Sequence, residues 1–117
     1  MKAIDKALLG LKIIEERKAV EPVLLNVVDL TSITDFFLIA SGKSSRQVQA
    51  ITKHVARRMK EEGFRAHGVE GEQEGRWVLM DYGDVVIHIF YQSVREYYDL
   101  EGLWVEAPRV KRDHATA

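Results

Sequence analysis

The stretch from Gly75 to Tyr91, G-R-W-V-L-M-D-Y-G-D-V-V-I-H-I-F-Y, constrains the fold of this chain more than any other. Two apolar runs, Trp77 to Met80 and Val85 to Tyr91, flank a Gly83-Asp84 dipeptide, the signature of a tight β-hairpin. A turn at those residues fixes the register. Tyr82 then lies opposite Val85, Asp81 opposite Val86, Met80 opposite Ile87, Leu79 opposite His88, Val78 opposite Ile89, and Trp77 opposite Phe90. Side chains alternate faces along a strand, so one face carries Val78, Met80, Tyr82, Val85, Ile87 and Ile89, which is ordinary core material. The other carries Trp77, Leu79, Asp81, Val86, His88 and Phe90. Large aromatics with a few polar groups have the composition of a protein–protein interface centre. They equally suit a sheet covered on both faces, with His88 hydrogen-bonded inside. Periodicity does not choose between the two.

The remaining chain supplies the partners of this hairpin. Residues 2–19 read as a helix with Ile4, Leu8, Leu11 and Ile14 on one stripe, stopped by Glu21-Pro22. Leu9 and Ile13 fall on the opposite side, as an exposed pair awaiting a dimer contact or as a helix buried on two sides. Val23 to Leu30 and Phe36 to Ala40 read as strands joined by a hydroxyl-rich loop, residues 31–35. Ser44 with Gln47 three residues on fits a capping box; Val48, Ile51, Val55 and Met59 form the buried stripe of the helix that follows, and Gly63 is placed to cap its end. Its far side gathers Arg46, Lys53, Arg57 and Lys60, either a solvated face or a contact for phosphate or an acidic partner. Phe64 to Val69 reads as a third strand, Ser93 to Tyr98 as a short helix with Asp99 to Trp104 packing after it, and residues 108–117 as a frayed tail. The order α-β-β-α-β-β-β-α implies one α/β domain, residues 1–107, with a mixed (α+β) sheet of about five strands and helices mainly on one face.

Bulk properties exclude several classes. At 117 residues the chain buries a core without staples, and with no cysteine it has neither disulfides nor thiolate metal sites. No apolar run approaches the ~20 residues of a membrane span. The mixed charges of M-K-A-I-D-K-A-L-L-G suit neither a secretory signal nor a transit peptide, so a cytoplasmic location is the expectation. A formal net charge of −1 gives no global polycation for indiscriminate nucleic-acid binding.

Catalysis finds little support. Asp81 and Asp84 are split between strand and turn, poor geometry for a shared metal or an acid–base pair. The histidines (His54, His67, His88, His114) form no i, i+4 pair, so neither a metal nor a cofactor is expected. Ala40-Ser41-Gly42-Lys43-Ser44 lies between strand and helix like a phosphate loop but lacks the other glycines of such motifs. It also resembles the strand–Gly–Ser–helix entry of nucleotidyltransferases. Those enzymes place a D-x-D or D-x-E on the next strand for magnesium, whereas F-R-A-H-G-V has no carboxylate.

Two long segments carry a family resemblance. D-L-T-S-I-T-D-F-F-L-I-A-S-G-K-S-S-R-Q-V (Asp29 to Val48) and V-E-G-E-Q-E-G-R-W-V-L-M-D-Y-G-D-V-V-I-H-I-F (Val69 to Phe90), continued by V-R-E-Y-Y-D-L-E-G-L-W (Val94 to Trp104), resemble the signatures of the ribosomal silencing factor (RsfS, or Iojap) family. The likeness spans residues 2–106. It departs at Lys43, where a small or polar residue is more usual, and at Gly102, whose missing side chain is expected to loosen the segment before Trp104. The resemblance implies a nucleotidyltransferase-like fold without the catalytic carboxylates, and a non-enzymatic translation repressor. Such proteins bind the fourteenth protein of the large ribosomal subunit and block joining of the small subunit under nutrient limitation; organelle relatives act in large-subunit assembly. Free members are commonly homodimers. On that footing the expected partner-binding residues are Trp77 as anchor with Leu79 and Phe90 beside it, Asp81 and His88 orienting it, Asp84 joining Asp81 as a carboxylate suited to a basic ribosomal protein, and Tyr82 and Tyr98 (with Tyr97 and Asp99) in a second tier. Tyr82 belongs there only if the strand slips by one residue. Arg46, Lys53, Arg57 and Lys60 are the candidates for ribosomal RNA.

Overall fold

The computed structural model describes residues 2–111. In chain order the elements are α1 (Ala3–Glu16), β1 (Val20–Asn26), β2 (Phe36–Gly42), α2 (Ser45–Glu61), β3 (Gly68–Glu70), β4 (Trp77–Asp81), β5 (Val85–Tyr91), α3 (Gln92–Tyr98), α4 (Leu100–Leu103) and β6 (Arg109–Val110). The strands form one sheet in the order β3-β4-β5-β2-β1-β6. Only β2 and β5 run parallel; every other pair is antiparallel.

The β4–β5 hairpin has the register its turn dictates, from Asp81 opposite Val86 to Trp77 opposite Phe90. Gly83 takes a φ of +86°, a conformation that excludes most side chains, and the Tyr82 N–H donates to the Val85 carbonyl at 2.9 Å. The turn is then pinned from outside. Lys6 of α1 donates to the Tyr82 carbonyl and to Asp84 Oδ1 at 2.7 and 2.8 Å, and Thr34 Oγ1 donates to the Gly83 carbonyl at 3.0 Å.

The two long helices cover one face of the sheet. Ala7, Leu11, Ile13 and Ile14 of α1 and Val48, Ile51, Val55 and Met59 of α2 pack on Leu24, Leu38, Met80 and Ile87. Ile13 is fully buried and Leu9 packs against the same core, so α1 is buried on two sides and Ile13 offers no dimer contact. At α2 the Gln47 N–H donates to Ser44 Oγ at 3.0 Å, while Gln47 Oε1 reaches back to the Lys43 N–H. Gly63, at φ +96°, follows the helix end.

The structure departs from expectation in five places. α1 ends at Glu16 rather than Lys18-Ala19, because Lys18 adopts φ 55° and Val20 already pairs with Ser41. β1 therefore begins at Val20 and ends at Asn26, and Glu21-Pro22 forms a bulge inside it, with Glu21 at φ 44°. A bulge is where a strand tolerates proline. The third strand is only Gly68–Glu70, an exposed edge. The expected tail from Pro108 instead supplies a sixth strand: Val110 pairs with Leu24, and Pro108 accepts from the Asn26 N–H. The rest of that segment, residues 112–117, lies outside the described residues. Finally, Gly102 tightens rather than loosens its segment. The Asp99 carboxylate fills the space a side chain there would need and accepts from the Gly102 N–H at 3.2 Å.

A candidate docking face on the second side of the sheet

Strand pairing sets the second face out in rows. Trp77 lies beside Phe90 and then Ser41; Leu79 beside His88, Ile39 and Val23; Asp81 beside Val86, Phe37 and Leu25. A smaller apolar cluster covers the β2–β1 side of these rows, with Val94 of α3, Leu100 of α4, Trp104 and Ala107 over Phe37, Ile39, Leu25 and Phe90. Trp104 meets Phe37 edge-on at 5.2 Å. The face is thus covered over β1 and β2 and left open over β4, at the hairpin's outer strand.

This half-cover sorts the expected contact residues. Trp77, Leu79 and Asp81 are half-buried and Tyr98 is exposed, so all four are reachable. Phe90 is fully buried and His88 nearly so; neither is a contact surface, and both act beneath Trp77. Tyr82 sits on the helix side in the unslipped register, 2 % exposed, where burial pushes its phenol up to about 12. Asp84 is tied to Lys6 at 2.8 Å and belongs to the hairpin's attachment to α1. Asp81 Oδ1 accepts from the Gly83 N–H at 2.8 Å, which leaves its other oxygen for a partner.

Trp77 is held on three sides. Its ring stacks on Phe90 with centroids 4.9 Å apart, Tyr98 leans on it at 5.1 Å, and its indole N–H donates to His88 Nδ1 at 3.1 Å. An accepting Nδ1 carries no proton, so the imidazole proton sits on Nε2, a buried atom with no hydrogen-bond partner among the described residues. Burial pushes the His88 imidazole down to about 4, so it is neutral near pH 7, as the acceptor role requires. With its polar atom satisfied internally and its rotamer fixed by two rings, Trp77 presents a rigid apolar edge, the property of an interface anchor.

Arg95 holds the cover in place, and sequence reading missed it. Only 7 % exposed, it donates to Ser41 Oγ (2.8 Å), the Val20 carbonyl (3.1 Å), the Glu21 carbonyl (2.8 Å) and, through Nε, Glu101 Oε1 (2.9 Å). One guanidinium thereby fixes α3 and α4 to the strained β1 bulge. No local signal marks it, because its partners lie up to 75 residues away in sequence.

Other expected positions lie apart from this face. Arg46, Lys53, Arg57 and Lys60 are exposed on α2, across the sheet. Ala40 to Ser44 forms the β2–α2 junction, where Gly42 lets the backbone of Val48 approach closely. Among the described residues no group of three or more His, Asp or Glu could hold a metal, and no helix is long and apolar enough to cross a membrane.

Comparison with known proteins gives a consistent picture. The sequence profile of the family described as "Ribosomal silencing factor during starvation" matches residues 1–117. The chain is 43% identical over 103 residues to the ribosomal silencing factor RsfS of Halalkalibacterium halodurans, covering 88% of each. A crystal structure of a Chromobacterium violaceum protein is similar at a TM-score of 0.86 with 38% identity, over 89% of this chain and 87% of that one. A mouse protein named "Mitochondrial assembly of ribosomal large subunit protein 1" is 35% identical over 74 residues, 61% of this chain and 32% of its own length.

Proposed function

The chain belongs to the ribosomal silencing factor family, and from that premise we propose that it represses translation by docking on the large ribosomal subunit through the open part of its second sheet face. The partner is the fourteenth protein of that subunit, and the docked domain excludes the small subunit by its bulk when nutrients are scarce. Steric exclusion needs tight binding and no chemistry, so the protein works without catalysis or cofactor, in the cytoplasm where ribosomal subunits join. The observation that carries this reading is Trp77, an aromatic with its one polar atom satisfied inside and its ring locked, yet half-exposed between Leu79, Asp81 and Tyr98. Buried aromatic anchors of this kind cost ~2 kcal/mol or more on truncation, about thirtyfold in affinity. Trp77→Ala should keep the fold, since the ring is not in the main core, but fail to co-sediment with purified large subunits. Co-sedimentation at wild-type affinity would refute the docking face.

The name of the mouse relative favours a second reading, in which the same face binds a maturing large subunit. Sedimentation of lysates separates the two: a silencing factor travels with mature large subunits, an assembly factor with precursors. Degenerate nucleotidyl transfer is the remaining alternative, tested by calorimetry with ATP or CTP plus magnesium; heat of binding would support it. Association of the free chain with a second copy, as the resemblance implies, is read by analytical ultracentrifugation.

A further inference from the structure

The outward side of α2 carries a feature that docking through the second sheet face leaves unused. Arg46, Lys53, Arg57 and Lys60 are all exposed. At 3.6 residues per turn they fall within a sector of about 60° and along about 21 Å of helix axis. The buried residues Val48, Ile51, Val55 and Met59 occupy the opposite side of the helix. Arg17, just beyond α1, extends the group sideways: with Ala50, Lys53, His54 and Arg57 it lines a shallow depression of about 340 Å³.

The acidic groups toward α1 and the end of α2 are already engaged, while on the other flank Glu72 lines a depression with Gln49 and Lys53 without forming an ion pair among the described residues. Glu16 accepts from Arg58 Nε at 3.1 Å and pairs with His54 at 2.8 Å, and those contacts hold its carboxyl down at about 2. Glu61 pairs with Arg57 at 2.9 Å and reaches Arg58 at 3.4 Å. The Arg57–Glu61 pair has side chains 60% and 52% exposed, so it is weak and a phosphate can displace the carboxylate. Among the described residues Arg17, Arg46, Lys53 and Lys60 make no ion pair.

We propose that this helix face binds the phosphate backbone of RNA. Cations strung along a line suit an extended polyanion rather than a compact anion, and arginine forks match phosphate oxygens. Gln49 and Ala50 flank the sector on either side and no aromatic side chain lies in it for stacking, so it grips backbone without reading bases. The sheet separates it from Trp77, so both faces can be occupied at once and the RNA contact stands independently of the docking reading.

Fluorescence anisotropy of a labelled single-stranded RNA, titrated with the full chain over a range of salt, tests this. About four neutralised phosphates predict that log K falls against log salt with a slope of about −3. Lys53→Glu with Arg57→Glu should weaken binding at least about tenfold and flatten the slope, whereas Arg65→Glu with Arg76→Glu, outside the stripe, should match wild type. Should the first pair melt early, Arg46→Gln with Lys53→Gln provides the same readout with smaller charge change. Absence of binding at low salt, equal weakening by both reversal pairs, or polyglutamate binding as tight as RNA would each overturn the proposal. Trp77→Ala should leave RNA binding unchanged, so failure of one face is separable from failure of the other.

Discussion

Acidification should destabilise this protein through one buried imidazole, and the size of the effect follows from where His88 sits. The ring is 5% exposed, wedged among Phe37, Trp77 and Phe90, and accepts the Trp77 indole hydrogen bond. Its folded-state value is pushed down to about 4 by burial, against 6.5 in the open chain. Between those values the unfolded state binds a proton that the folded state refuses. The stabilisation is therefore fully present above about pH 6.5 and is lost as pH falls through 6.5 toward 4. At about 1.4 kcal/mol per pH unit, the gap comes to about 3 kcal/mol. Urea unfolding of wild type and His88→Gln from pH 7 to pH 4 isolates it, because the carboxylates and other histidines titrate alike in both. Wild type should lose about 3 kcal/mol more than the variant across that interval. Equal losses would show that His88 titrates as an open imidazole, and that the account of an enclosed acceptor beneath Trp77 is mistaken.

Arg95→Ala should cost about 3 kcal/mol or more in thermal or urea unfolding, since it strands Glu101 and frees the carbonyls of the β1 bulge; a loss under about 1 kcal/mol would mean the guanidinium does not organise the cover. Gly71→Ala should lower the unfolding free energy, and with it the urea midpoint, by an amount worth more than about 1 kcal/mol, because φ there is +83° and a Cβ would meet the Trp77 carbonyl. An unchanged midpoint would mean that the loop before β4 adapts freely.

The hairpin was legible in the sequence because its signals are local: a glycine turn and strict alternation fix every cross-strand pair from Asp81 to Trp77. The capped start of α2 was legible for the same reason. Features made by distant pairings were not. Two residues, Arg109 and Val110, carry no strand pattern of their own and become β6 only because β1 offers an edge. Pro22 looked like a helix terminator, yet the helix had already ended and the proline sits in a bulge secured by Arg95, more than seventy residues on. The same long-range cover decided the second face, where alternation could not separate interface from core. Phe90 and His88 turned out to lie under it and Trp77 at its margin. Whether a residue on that face meets solvent depends on where α3 and α4 fold back, which strand periodicity does not encode.

The central claim is that a domain docked through Trp77 excludes the small subunit. Light scattering of subunit joining tests it directly, with purified large subunits incubated with the chain before small subunits are added. The account predicts that wild-type protein suppresses joining in proportion to the large subunits it occupies, while Trp77→Ala at the same concentration leaves joining at its uninhibited extent. Large subunits saturated with wild-type protein that still join normally would contradict it.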